Sequence, residues 1–131
     1  MSKKRIEEYI PKAIKLIEEE KIAKEGKVPK EFNGYIASFG ASMIQSGLLP
    51  AIAFYEDDNS KSQKERHKLM KVILRLISEG DECSRLLEYV IDNQDSKDSI
   101  KRRVKDGAIA VKLAIRTFKL IDSGDKNDEG E

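Results

Sequence analysis

The sequence is poor in the residues that most often carry chemistry. Its 131 residues include one cysteine, Cys83, one histidine, His67, and no tryptophan. A lone cysteine excludes an internal disulfide. A zinc site would have to combine one thiol, one imidazole and carboxylates, which is not the set that zinc sites ordinarily use. The acidic runs Glu18-Glu19-Glu20 and Glu56-Asp57-Asp58 read as solvated carboxylates on a helix and a loop tip. There is no glycine-rich phosphate loop and no nucleophile elbow. Arg66 directly adjoins His67, without the separation that small helical ribonucleases place between such a pair. Eight aromatics, among them Tyr35, Phe54, Tyr89 and Phe118, fall at core-like positions and offer no base-stacking platform. The expectation is a chain without catalytic residues, metal or cofactor. The basic start, Met1 to Arg5, runs into Ile6-Glu7-Glu8-Tyr9 rather than an apolar stretch, so no secretory leader is read and a cytoplasmic location is expected.

Prolines are also few, at positions 11, 29 and 50, and no run of alternating β-branched residues reads as a strand. What recurs instead is the 3.6-residue period. Ile6, Tyr9, Ile10, Ala13, Ile14 and Ile17 line one face of a first helix that should end near Gly26, with Glu8/Lys12 and Lys15/Glu19 pairs on the other side. Pro29 suits the first turn of a second helix, which Gly47 closes. Pro50 opens a short third helix through Tyr55, and residues 56–60 form a loop. A fourth helix is expected over 61–79, stopped by Gly80. A fifth holds Leu86, Leu87, Val90 and Ile91, and a last runs from an Asp98 N-cap to Ser123. The fold class is therefore all-α, a compact bundle of five to six helices with short loops. One domain should span residues 1–124, with an acidic disordered tail over 125–131.

Residues 32–55 contain no charged side chain, although charged residues make up 37% of the chain. Glycines, serines, Asn33, Gln45 and Pro50 dilute the segment too much for a membrane span. On a helical wheel Phe32, Ile36, Phe39 and Met43 fall together, backed by Gly34, Ala37, Ser38, Ala41, Ser42 and Gln45. A bulky stripe backed by a small uncharged strip predicts a central helix approached from both sides, by its own bundle or by another subunit.

The net charge of +1 conceals a partition. Residues 81–95 carry −4 and 122–131 carry −4, whereas 96–121 carry +6. Within the fourth helix Lys64, Lys68, Lys71 and Arg75 form one stripe. In the last, Lys101, Lys105, Lys112, Arg116 and Lys119 form another, flanked by Ile100, Val104, Val111, Ile115 and Phe118 on one side and Ile109, Leu113 and Leu120 on the other. If one helix carries it, that ridge is about 27 Å long at about 1.5 Å per residue. Solvated helix faces usually mix both signs, as the first helix does, so single-sign stripes that are not merely solvated call for a counter-charge from a polyanion, an acidic protein partner or the chain's own acidic tail. Lysine outnumbers arginine and no Asn/Gln reading set accompanies it, which fits a polyanion's backbone rather than base edges.

The segment Tyr35-Ile-Ala-Ser-Phe-Gly-Ala-Ser-Met-Ile-Gln-Ser-Gly47-Leu-Leu-Pro-Ala-Ile-Ala53-Phe54-Tyr resembles the core of the small all-helical subunit of the type III-B CRISPR (Cmr) RNA-guided effector complex. Gly47-Leu48 matches the family's helix-ending Gly-Leu pair. Ala51, Ala53 and Phe54 match the Ala-rich turn ending Ala-Phe. A cationic helix follows, and Ala114 to Ile121 is similar to the family's last helix, so the order of helices agrees over residues 5–121. The resemblance implies a non-catalytic protein in an antiviral ribonucleoprotein, beside RAMP-type backbone subunits and neighbouring copies of itself, in contact with guide RNA and target RNA. The basic positions lie outside the matching motif, so the nine stripe residues are RNA-binding candidates by spacing alone. Two other readings stay open: a helical adaptor for an acidic protein partner, and a small DNA-binding regulator with a helix-turn-helix around Gly80.

Overall fold

In a computed structural model of the chain, the structure describes residues 2–57, 65–78, 85–93, 95 and 97–122. Helix α1, Lys3–Glu19, starts where the Ser2 hydroxyl accepts a hydrogen bond from the Arg5 backbone N–H at 3.2 Å. This N-cap satisfies one of the helix's orphan donors. Ile6, Tyr9, Ala13, Leu16 and Ile17 are buried, and this packing carries the helix through Pro11, which has no N–H to donate. The helix ends at Glu19, seven positions before Gly26. Lys21, with φ of 64°, takes the left-handed position, and the N–H groups of Lys21 and Ile22 bond the carbonyls of Glu18 and Ile17. That is a Schellman closure made by lysine where the sequence pattern expected glycine.

Strand β1, Lys27–Pro29, pairs in parallel with β2, Lys119–Ile121. Neither strand was expected, because three residues are too few for alternation to register. Pro29 therefore lies in β1, outside the second helix. Helix α2, Glu31–Ser46, buries Phe32, Ile36, Phe39 and Met43 as their spacing predicts. Its small strip faces outward: Gly34, Ala37, Ser38, Ala41 and Gln45 are exposed, so α2 is packed on one side only. A Cβ added at Gly34 or Gly40 would meet nothing within 4 Å. Mid-helix glycine costs about 0.5–1 kcal/mol relative to alanine, so Gly34→Ala with Gly40→Ala should stabilise the isolated chain by about 1–2 kcal/mol in urea unfolding.

Gly47, with φ of 96°, ends α2 and starts α3, Leu48–Glu56, with Pro50 in the first turn. Phe54 is 59% exposed, which corrects its core-like placement. The Arg66 guanidinium, itself buried, lies 4.2 Å from the Phe54 ring centre and donates to the Phe54 carbonyl at 3.1 Å, so a cation covers one ring face. Helix α4 spans His67–Ile77, beginning later than expected because Glu65 and Arg66 form a turn. Helix α5 is Leu86–Asp92. The Glu56 side chain is shielded rather than solvated: its carboxylate accepts from the N–H groups of Leu86 at 2.6 Å and Leu87 at 3.2 Å, capping α5 from 30 residues away. Glu56→Ala should cost about 2 kcal/mol by urea denaturation.

Helix α6, Lys97–Ile115, is the hub, packing against α1, α2 and α4. A Cβ added at Gly107 would lie 3.6 Å from Ile73, so the backbones of α6 and α4 approach closely there. The helix stops at Ile115, not near Ser123: residues 116–118 turn, and β2 follows. The Lys30 N–H bonds the Ile121 carbonyl at 2.7 Å, fastening the end of β2 to the entry of α2.

Candidate nucleic-acid interface

The second basic stripe is thus bent. Lys101, Lys105 and Lys112 lie on α6 and are half-buried, Arg116 is exposed in the turn, and Lys119 is exposed on β2. Only about 16 Å of straight helix separates Lys101 from Lys112. Of the flanks, Ile100, Val104, Val111 and Ile115 are buried as expected, whereas Leu113 and Leu120 are 43% and 36% exposed. The ridge therefore has one apolar flank in the core and another turned to solvent.

A groove of about 420 Å³ opens between α2 and α6. Ile36, Gly40, Ile44 and Ile109 contribute to its apolar lining, and Arg102, Lys105 and Lys112 supply its cations. Arg102 was missed because it lies one position off the stripe on the helical wheel, so spacing alone could not find it. Asp106 also lines the groove, but its charge is already engaged: Arg5 Nη1 donates to Oδ2 at 2.8 Å. No carboxylate among the described residues pairs with Lys101, Lys105, Lys112, Arg116 or Lys119.

The first stripe is different. Lys64 lies outside the described residues. Lys68 pairs with Glu65 at 2.9 Å, and Arg75 reaches Glu19 at 2.7 Å and Glu20 at 3.2 Å on α1. The Glu19 hydrogen bond holds the Arg75 guanidinium above its ordinary pKa. Lys71 is exposed. Two of the stripe's cations therefore have internal counter-ions, and Arg75 turns to α1 while Lys105 and Lys112 turn to α2. The eight candidates among the described residues divide between these two settings.

His67 opens α4 and is half-buried, while Cys83, Gly80 and residues 125–131 lie outside the described residues. Among the described residues no three of His, Cys, Asp and Glu converge to hold a metal ion, and no helix is long and apolar enough to cross a membrane. Arg103 is committed to the interior. Burial acts to lower its pKa, but hydrogen bonding to the Tyr9 hydroxyl and the charges and hydroxyl around Tyr89 raise it overall, and it donates to the Ile77 carbonyl at the end of α4.

A family model described as CRISPR-associated protein (Cas_Cmr5) matches residues 4–108, from the first turn of α1 to the middle of α6. Neither curated proteins nor solved structures yield a significant match.

Proposed function

Because the chain belongs to the CRISPR-associated Cmr5 family, and so is a subunit of a multisubunit Cmr complex, we propose that it serves there as a non-catalytic RNA-binding structural protein. Its place is the cytoplasm, and its ligands are the sugar-phosphate backbones of guide RNA and target RNA. The observation that carries this reading is the ridge of Lys101, Lys105, Lys112, Arg116 and Lys119, which no described carboxylate neutralises, in a chain whose other stripe has two of its cations, Lys68 and Arg75, internally paired. Phosphate contacts position a protein without reading sequence, which suits a complex in which base pairing supplies specificity. The absence of catalysis rests on the single histidine and single cysteine, neither of which the sequence surrounds with a catalytic set. The exposed, uncharged outer strip of α2 is the side that suits packing against RAMP-type backbone subunits or another copy of this chain.

Each phosphate neutralised on a single strand contributes about −0.7 to the slope of log affinity against log salt. With all five ridge cations engaged, binding to single-stranded RNA should show a slope of about −3.5. The RNA should also remain uncut on prolonged incubation. Salt-independent binding, or cleavage, would contradict the proposal. The apolar lining of the groove, with Ile44 80% exposed, favours a second reading in part: an acidic protein segment seated between α2 and α6. That reading predicts a stable protein complex and no salt-dependent retention of RNA.

A further inference from the structure

The groove between α2 and α6 alternates cation and hydrocarbon along one wall. Lys105, Ile109 and Lys112 follow one another at i, i+4 and i+7 on α6, and all three line it. The two lysines stand about 10 Å apart along the helix axis at about 1.5 Å per residue, with Ile109 between them. The facing wall, on α2, is low and uncharged. Ala37, Gly40 and Ala41 line it with no side chain longer than a methyl, and a Cβ added at Gly40 would meet nothing within 4 Å. Ile44, one turn beyond Gly40, also lines the groove and is the most exposed large apolar side chain among the described residues.

Each feature answers to part of a nucleotide. A strand laid along α6 presents phosphate, nucleoside and phosphate in turn, and the wall presents cation, hydrocarbon and cation. Phosphates held by Lys105 and Lys112 leave the base between them over Ile109. The low wall of α2 lets a flat ring approach its backbone, and a volume of about 420 Å³ lies within the range of about 300–1,000 Å³ that ligand pockets span. Arg102, exposed one turn before Lys105, adds a guanidinium plane of the kind that stacks on unpaired bases. Asp106 would repel a phosphate, but its side chain is shielded and Arg5 holds it.

We propose that the groove is a base pocket: an unpaired nucleotide of an RNA strand on the α6 ridge turns its base between Gly40 and Ile44 of α2 and Ile109 of α6, while its flanking phosphates rest on Lys105 and Lys112. This rests on the RNA-binding reading above and names the form of RNA it takes, a strand with at least one base free to leave the stack. The base packs by its face and its edges stay at the mouth of the groove, so any of the four bases is accepted. In a duplex the bases are held in the stack, and only phosphates reach the ridge.

The test is fluorescence anisotropy with the full chain, titrated with salt, of a labelled single-stranded RNA, an abasic ribose-phosphate oligomer of the same length and an RNA duplex. Gly40→Leu builds a side chain into the groove and should lower affinity for the single strand about fivefold at about 0.1 M salt, the low end of what one packed base contributes. The salt slope should not change, because no cation is removed. Its urea midpoint should not fall, since leucine replaces a mid-helix glycine. Ile44→Gln, at an exposed position, should lower affinity about threefold in the same way. Neither variant should alter binding of the abasic oligomer or the duplex, which offer no free base. Native affinity for the single strand in both variants, while Lys105→Ala with Lys112→Ala loses binding, would overturn the pocket and leave the ridge standing. A native chain that fails to bind RNA overturns both. Equal losses on the single strand and the abasic oligomer would also overturn the pocket. So would a Gly40→Leu chain that binds RNA normally but sheds a protein from the assembled Cmr complex, since the groove would then hold a protein segment.

Discussion

Replacing Lys105, Lys112 and Arg116 together by alanine lowers the affinity for single-stranded RNA about 100-fold at about 0.1 M salt, and by the same factor for unrelated sequences. The magnitude follows from counterion release. Each lost single-strand contact removes about 0.7 from the log–log slope, so three remove about 2 log units at about 0.1 M relative to about 1 M. The three residues differ in setting, with Lys105 and Lys112 lining the α2–α6 groove and Arg116 exposed beyond the helix end. Their aliphatic stems can cover apolar surface, so Lys→Gln versions, which keep much of the stem, separate lost charge from lost packing. Equal loss with alanine and glutamine locates the effect in charge. Replacing Arg75, which Glu19 and Glu20 already hold, should change RNA affinity much less.

Arg5→Ala destabilises the fold by about 3 kcal/mol, and Asp106→Asn by only about 1 kcal/mol. The asymmetry comes from burial. The Asp106 side chain is 1% exposed and that of Arg5 35%. Removing Arg5 strands a carboxylate in the groove wall with only the Ser2 N–H, at 3.4 Å, to help it. Neutralising Asp106 instead frees a guanidinium that already reaches water. The pair ties the start of α1 to the middle of α6, so the loss should appear in global unfolding by urea rather than in local fraying. Equal effects from the two substitutions would contradict this account of the pair.

The bundle was legible in the sequence wherever an apolar stripe and a glycine agreed. Phe32, Ile36, Phe39 and Met43 are buried as their period requires, and Gly47 separates α2 from α3. The errors share a cause, which is that long-range pairing leaves no local mark. Val28 and Leu120 lie opposite each other in the sheet although 92 positions separate them, and nothing near either announces a strand. The helical pattern of α6 runs on past Ile115 in the sequence, so the strand that interrupts it was invisible. The ridge was legible as composition, but its partners were not. That Arg75 is neutralised by α1 while Lys105 and Lys112 are left without a described carboxylate depends on how α4 and α6 pack.

The central claim is that RNA lies along α6 and its continuation into β2. Ultraviolet cross-linking of RNA to the chain within an assembled Cmr complex, followed by mass spectrometry of the adducts, tests this most directly. Adducts concentrated in residues 101–119 are the predicted result. Adducts confined to the exposed face of α1, or none on this chain while other subunits label, would contradict it.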